Sequence, residues 1–462
     1  MIKNRSYDSE GFNRTAKIFL DSGEVASPEE AVLRLQSFGV IVIAGQEVAR
    51  SRTLQAALLT IVNAGVRSFL GGVYVSLPSE EIRSQIPGFE FDDLATVIRR
   101  FGGRIGQPKN EDKLPILLLG DAPLPLRCPG RALQLTFDRW TAGVTPAARK
   151  IRLAERDGCA LAGILAGAFG LSEVFQSLRG RNSMAMRRAF AVSLWEPDAP
   201  IDWHARRNEP IMDVVPDRFW LIGLGNLGQA YLWTIGFLGY SAPKNVHLTL
   251  QDFDILSKAN ISTSLLTNAR NIGIAKTRAM AAWAERRGYH TNIIERRFPG
   301  RLQLDNGDPH LALCGLDNAS SRQKLEDIGF ELILEAGLGT GERYLNIDQH
   351  VFPGTRTAQD IWRNVAVQSN AEELVKRPGY RAIAARGVDD CGLLQLANRA
   401  VGVPFVGVVA ATLAIAAACR HVLSGVRVHQ ISLNLSTPED RQIFFDRAER
   451  PVFNPGFQKA IA

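Results

Sequence analysis

Arg218-Phe-Trp-Leu-Ile222 runs into Gly223-Leu-Gly225-Asn-Leu-Gly228 and on into Gln229-Ala-Tyr-Leu-Trp-Thr-Ile-Gly-Phe-Leu238. The short apolar run reads as a buried strand and the stretch after the glycines has helical composition, so the turn sits at a strand-to-helix junction. There the missing side chains of Gly223 and Gly225 let the backbone approach a phosphate, and the free N–H groups and helix dipole favour the anion. Gly228 completes the motif. A GxGxxG turn on its own is weak evidence, and a purely structural strand-to-helix turn is the alternative.

Downstream, Asn245-Val-His-Leu-Thr-Leu-Gln251 alternates like a second strand and delivers Asp252 and Asp254 at its C-terminal end. A ribose hydroxyl would lie there. An acidic residue at that place also serves a dinucleotide site, so Asp252 alone does not separate NAD from ATP.

The next segments do. Ser257-Lys-Ala-Asn260-Ile-Ser-Thr263-Ser, Asn271-Ile-Gly-Ile-Ala-Lys276-Thr-Arg and Leu311-Ala-Leu-Cys-Gly-Leu-Asp317-Asn318 resemble the adenylyltransferase superfamily of ThiF, MoeB and the ubiquitin-activating enzymes. That family's pattern is a glycine turn, Asp-x-Asp, Ser-Asn-Leu-x-Arg-Gln, Gly-x-x-Lys and a later Asp-Asn after a strand. The resemblance implies ATP and Mg2+ as cofactors, with Asp252 holding the ribose, Asn260 and Lys276 at the phosphates, and Asp317 as the magnesium ligand. Adenylyl transfer needs cations around the phosphates and a carboxylate for the metal, in agreement. One position departs: the family's arginine is Thr263 here, and a threonine cannot neutralise a phosphate.

At 462 residues the chain is long enough for about two to three domains, and 46% hydrophobic with 22% charged residues is ordinary for a folded protein. A net charge of +7 without a dense Lys/Arg block gives no support for nucleic acid binding. The N-terminal residues carry no apolar signal core, and the cytoplasm is the expected compartment. The five cysteines are widely separated with no CxxC pair, which argues against a disulfide framework and against structural zinc. From Ala400 to Cys419 there is no charged residue. That length could span a bilayer, but Pro404, the Gly and Ala content and a partner segment elsewhere predict a buried helix and no membrane association.

The partner is Ala160 to Gly180, which parallels Pro404 to Gly425. Upstream, Phe38-Gly-Val-Ile-Val-Ile43 matches the strand before the glycine turn, and Thr53 to Gly65 matches its helix. With the strands aligned, Ala44-Gly-Gln46-Glu47-Val-Ala49 lacks all three phosphate-facing glycines, Glu47 would repel a phosphate, and the second strand, Gly71 to Leu77, ends without an acidic pair. The first copy therefore reads as a nucleotide fold that no longer binds nucleotide. Chance similarity between two alanine-rich segments is the alternative.

The expected fold is α/β, with two Rossmann-like ThiF-type adenylation units forming an intramolecular pseudo-dimer. An inactive unit spans residues 1–205 and an active unit 206–462, with an insert at about 340–403, and the stretches Trp195 to Pro200 and Pro210 to Pro216 mark the linker. By resemblance to ubiquitin-activating enzymes, Arg14, in Gly11-Phe-Asn-Arg-Thr15, reaches the other half's ATP and covers part of what Thr263 lost. A solvent-facing arginine is the alternative. Cys314 and Cys419 lie in apolar core segments, and Cys128 and Cys159 belong to the degenerate half. Cys391, in the polar and glycine-flanked Arg386 to Gly392, reads as a loop thiol able to take an acyl group from an adenylate, with a structural cysteine as competitor.

The resulting expectation is an enzyme that adenylates the C-terminus of a ubiquitin-like protein, forms a thioester on Cys391 and passes it to a conjugating-type enzyme. Lys276, Arg14 and Asp317 would carry the first step. Three alternatives stay open. One is a ThiF-like or MoeB-like adenylyltransferase for a sulfur carrier or peptide without an enzyme thioester. The second is an NAD-dependent enzyme, and the third a non-catalytic scaffold.

Overall fold

Continuous apolar runs rich in Val, Ile and Leu, such as Gly39–Ala44 and Leu311–Cys314, are what a parallel strand covered on both faces requires. They form the centres of two sheets in the computed structural model, which describes residues 11–108, 113–124, 129–299, 302–363, 371–425, 427–445 and 453–461. The first sheet contains β1 (Gly39–Ala44), β2 (Gly72–Ser76), β3 (Arg104–Ile105), β4 (Ile116–Leu119), β5 (Ala132–Asp138), β6 (Thr141–Pro146) and β7 (Phe190–Ser193). Their spatial order is 3-2-1-4-5-6-7.

The chain then passes through β8 (Val214–Pro216) into β9 (Arg218–Ile222), β10 (His247–Gln251), β11 (His290–Ile294), β12 (Leu311–Cys314), β13 (Leu332–Leu338), β14 (Asn346–Phe352), β15 (Val428–Asn434) and β16 (Gln442–Phe445). Their order, 11-10-9-12-13-14-15-16, repeats the first sheet and adds one edge strand. In both sheets the first five strands pair in parallel and the following ones antiparallel. β17 (Phe457–Lys459) returns to pair antiparallel with β8. These are the two Rossmann-like units of the expected pseudo-dimer.

The helices are α1 (Lys17–Asp21), α2 (Pro28–Gln36), α3 (Arg52–Ser68), α4 (Leu94–Phe101) and α5 (Ala160–Arg179) before the connection. After it come α6 (Asn226–Ile235), α7 (Lys276–Glu285), α8 (Ala319–Arg322), α9 (Ala358–Trp362), α10 (Ala371–Leu374), α11 (Pro378–Ala384), α12 (Asp390–Asn398) and α13 (Pro404–Val422). The sequence repeat is the pair α5 and α13, and α13 packs on α5, α3 and α6 to form the seam between units. Both helices are long and apolar enough to cross a bilayer by composition, but 89% and 83% of their apolar windows are buried inside the molecule. Small residues let the helices close up. A Cβ at Gly163 would lie 2.0 Å from Thr53 O, and one at the matching Gly407 would lie 2.9 Å from Asn226 Oδ1. Across the seam, Trp233 Nε1 of α6 donates to Thr60 Oγ1 of α3 at 3.1 Å.

The connection is tied to the first unit by buried Glu209, whose carboxylate accepts from Trp140 N, Thr141 Oγ1, Ser193 Oγ and Arg207 Nε. One sequence expectation changes here. β14 lies inside 340–403 and is the counterpart of β6, so the elements without a counterpart are the helices α9 to α12. Alternating polar positions in Asn346–Phe352 hid a strand that is nevertheless mostly buried.

Candidate active site

The three turn glycines serve different ends. Gly223 has φ +84°, and a Cβ there would come within 2.9 Å of Gly315 O; one at Gly228 would lie 2.0 Å from Gly223 O. Both are demanded by backbone packing between the turn and the loop after β12. A Cβ at Gly225 would meet nothing within 4 Å. Gly225 is therefore the glycine that keeps the turn open. It is also the N-cap of α6, and no side chain caps that helix, which leaves its first N–H groups facing the opening.

Asp252 locks the turn from below. Its Oδ2 accepts from Leu224 N at 2.7 Å and its Oδ1 from Asp254 N at 2.8 Å. Lys276, at the start of α7, donates to Asp254 Oδ2 at 2.7 Å and lies 3.6 Å from Asp252 Oδ2. Asn260 is buried and its Oδ1 accepts from Ser257 N and Ser257 Oγ, closing a capping box that fixes the loop. Thr263 is buried against Gly402, where a Cβ would lie 2.7 Å from Thr263 Cγ2.

The first unit reaches this site. Arg14 N donates to Ser262 Oγ at 3.1 Å, and Thr15 Oγ1 donates to Gly402 O at 2.9 Å. Burial lowers the Arg14 guanidinium from its ordinary range, the charge of Arg399 acts the same way, and Asp317, exposed in the loop between β12 and α8, opposes both. Arg67 of α3 donates to Ile261 O, Leu265 O and Thr267 O at 2.6, 2.8 and 3.1 Å, and burial pulls its guanidinium down to about 10. The loop that carries Asn260 is thus held by an arginine of the other unit. Around these residues Arg14 Nε, Asn226 Oδ1, Thr263 Oγ1 and Ser264 Oγ are buried polar atoms without a hydrogen-bond partner in the protein. Such atoms call for water or a polar ligand.

Turn, Asp252, Lys276, the Asn260 loop, Asp317 and Arg14 are thereby brought together. Three neighbours of these residues escaped the sequence reading. Asn226 was visible as a polar residue inside the motif. Arg67 sits unremarkably in an amphipathic helix, and Arg399 is one of 54 basic residues with no motif around it.

In the first unit the N-terminus of the equivalent helix is occupied by the protein's own groups. Gly45 follows β1 as Gly223 follows β9, so one turn glycine is retained, against the expectation that all three are missing. Beyond it Gln46–Ala49 form a 3-10 turn rather than an open loop. Glu47 pairs with Arg152 at 2.7 Å, and Arg152 Nε donates to Glu155 Oε1 at 2.9 Å. Ser51 Oγ caps α3 and donates to Asp157 Oδ1 at 2.9 Å, while Thr53 N donates to the same oxygen at 3.3 Å. The helix N-terminus that could take an anion already holds a carboxylate.

Cys391 is exposed, but it is not in a loop: it stands in the first turn of α12, whose N-cap is Asp389. The Asp389 side chain accepts from Gly392 N at 2.8 Å, which starts the helix inside a stretch that reads as polar loop. Along α12, Cys391 and Arg399 are about 12 Å apart by helical rise. Cys159, Cys314 and Cys419 are buried in the core, and Cys128 lies outside the described residues.

Comparison with known proteins adds the family. Residues 39–194 match the BilD N-terminal domain and residues 215–425 the BilD C-terminal domain. The chain is 38% identical over 463 aligned residues to the bacterial E1-like protein BilD of Collimonas sp. (strain OK412), an alignment covering 99% of this chain and 98% of that protein. Among solved structures, E. coli MccB aligns at TM-score 0.32 and 12% identity, over 53% of this chain and 66% of MccB, just under two thirds of its length. MccB crystallised with AMPCPP and MccA aligns at TM-score 0.31 and 13% identity, over 52% and 66% of the two chains.

Proposed function

The chain belongs to the BilD family of bacterial E1-like proteins, and from that premise we propose that it activates a ubiquitin-like protein with ATP in its second unit. The observation that carries the reading is the reach of Arg14, from the first unit, onto Ser262 of the second unit, among buried polar atoms beside the glycine turn that lack protein partners. ATP offers the acceptors and charge that this set of groups would take: phosphates at the uncapped N-terminus of α6, and a ribose at Asp252. Asp317 is an exposed carboxylate suited to Mg2+, which is usually held by one or two carboxylates plus phosphate oxygens; the ion would neutralise phosphate charge when bound.

In this reading the partner's C-terminal carboxylate oxygen attacks the α-phosphorus. The bond to the bridging oxygen breaks and pyrophosphate leaves. Lys276 exchanges its carboxylate neighbours for a phosphate, and Arg14 stabilises the charge that develops there. The thiol of Cys391 then gives up its proton and attacks the acyl carbon, and AMP leaves. The thioester passes to the cysteine of a conjugating-type enzyme. Because about 12 Å of helix lies between Cys391 and Arg399, this second step requires the activated terminus or α12 to move.

Pyrophosphate exchange dependent on a ubiquitin-like partner, followed by a thioester band on a non-reducing gel that is lost in Cys391→Ala, is the expected result. Exchange that persists in Cys391→Ala without any thioester in the wild type would favour an adenylyltransferase of the ThiF or MoeB kind. Absence of partner-dependent exchange would sink both readings.

A further inference from the structure

We propose that Arg399 is the phosphate-facing cation that the second unit lacks at Thr263, an inference that rests on the ATP reading above. The segment from Arg399 to Gly402 leads from α12 into α13 and comes close to Thr263 and Asn226 at Gly402. A Cβ at Gly402 would be 2.7 Å from Thr263 Cγ2 and 3.8 Å from Asn226 Nδ2, so this backbone touches both the residue that replaced the arginine and the polar residue within the glycine motif. A long side chain at position 263 would collide with that backbone. The strand of chain that excludes a cation from position 263 carries one three residues upstream.

The segment is also held in place. Lys17 Nζ donates to Ala397 O at 3.2 Å and pairs with Asp21 at 2.6 Å, and Thr15 Oγ1 donates to Gly402 O. Two contacts from the first unit thus bracket Arg399. Its charge is felt by Arg14 and by Lys17, and Arg14 in turn feels Asp317. A polyphosphate, with several negative oxygens, is an anion that more than one cation can hold at once. When the partner's carboxylate oxygen bonds to the α-phosphorus and the bond to pyrophosphate breaks, Arg399 would take up charge on the departing phosphates.

The test is calorimetric titration of the intact protein with MgATP and, separately, with AMP, in wild type, Arg399→Ala and Arg399→Lys. Binding of MgATP is expected to weaken by about ten- to a hundred-fold in Arg399→Ala, with AMP changed by less than about two-fold and the lysine variant in between. Pyrophosphate exchange by Arg399→Ala should recover in part with added guanidinium, which a merely structural role would not permit. Arg399→Gln gives the same comparison where the alanine variant fails to fold, as read from its melting curve. MgATP bound equally by wild type and variant, or ATP and AMP weakened together, overturns the inference and leaves the adenylation reading standing. Wild-type protein that binds no MgATP overturns both.

Discussion

The N-termini of α3 and α6 follow the first strand of two sheets with the same strand order, yet the chain sets its own carboxylate against one and leaves the other without a side-chain cap. At α3, Ser51 caps the helix and the Asp157 carboxylate accepts from Ser51 Oγ and Thr53 N. At α6 the N-cap is Gly225 and no side chain caps the helix. Both ends present orphan N–H groups and the positive end of a dipole. The first unit satisfies them with its own acid, and the second has no side chain there to do so. Shared topology therefore says little about which unit works, because the difference lies in loops grafted on the same frame. What the first unit keeps is directed outward, through Arg14 and Arg67, to the loops of the second.

The largest contrast should come from one cation in each place. Lys276→Ala is expected to slow partner-dependent pyrophosphate exchange by about 10²- to 10³-fold, as for removal of a charge-stabilising donor, whereas Arg152→Ala should leave it within about two-fold. Comparable losses in the two variants would break the proposed division of roles between the units. The glycines sharpen it within the working unit. Gly228→Ala places a Cβ 2.0 Å from a backbone oxygen and should destabilise the fold by about 1–3 kcal/mol by denaturant titration. Gly225→Ala should melt like wild type and weaken only ATP binding, because its Cβ meets no protein atom within 4 Å. Identical stability losses would show that Gly225 is a packing residue as well.

Much of this was legible in the chain, and the limit is physical. Buried parallel strands read as unbroken apolar runs, so β1, β9 and β12 stood out, as did the apolar α5 and α13. Asp252 stood out at the end of a strand that follows the glycine turn, whereas Asn260, Lys276 and Asp317 were singled out only through the family resemblance. β14 was hidden by its alternating polar positions, and α12 by a cap that makes a helix begin in polar sequence. The closing of α3 depends on Asp157 meeting Ser51 across 106 positions, and the hold on the Asn260 loop depends on Arg67 meeting Ile261 across 194. No local pattern encodes such approaches, because they follow from how whole elements pack.

Arg67 tests whether the first unit supports the second or merely accompanies it. Its guanidinium donates to three carbonyls of 261–267, and hydrogen bonds from a charged donor are worth about 1.5–3 kcal/mol each at most in a buried setting. The cost of burying that cation, visible in its pKa of about 10, offsets part of the gain. Arg67→Met should therefore raise amide hydrogen exchange in 260–267 by about ten-fold, with the β1 and β9 amides unchanged. Unaltered exchange in that loop would make the contact incidental to the site.

The smallest effect concerns the cysteines, where both units agree and α12 differs. Burial pushes the Cys159 and Cys314 thiols up to about 12 and that of Cys419 further, so at pH 8 only roughly 10⁻⁴ or less of each is thiolate, sealed from reagent as well. Cys391 is exposed at the start of α12. Iodoacetamide at pH 8 should modify Cys391 before any of these three, as read by peptide mapping, without a change in melting temperature. Because burial is the main cause that raises the core thiols, moving from pH 8 to pH 9 should leave them unlabelled while the fold persists. Adding MgATP and the partner protein should then slow modification of Cys391 alone, since a thioester removes the nucleophile. Labelling unaffected by that pair, with pyrophosphate exchange intact, would separate adenylation from the thiol and leave the exposed cysteine without a part in the reaction.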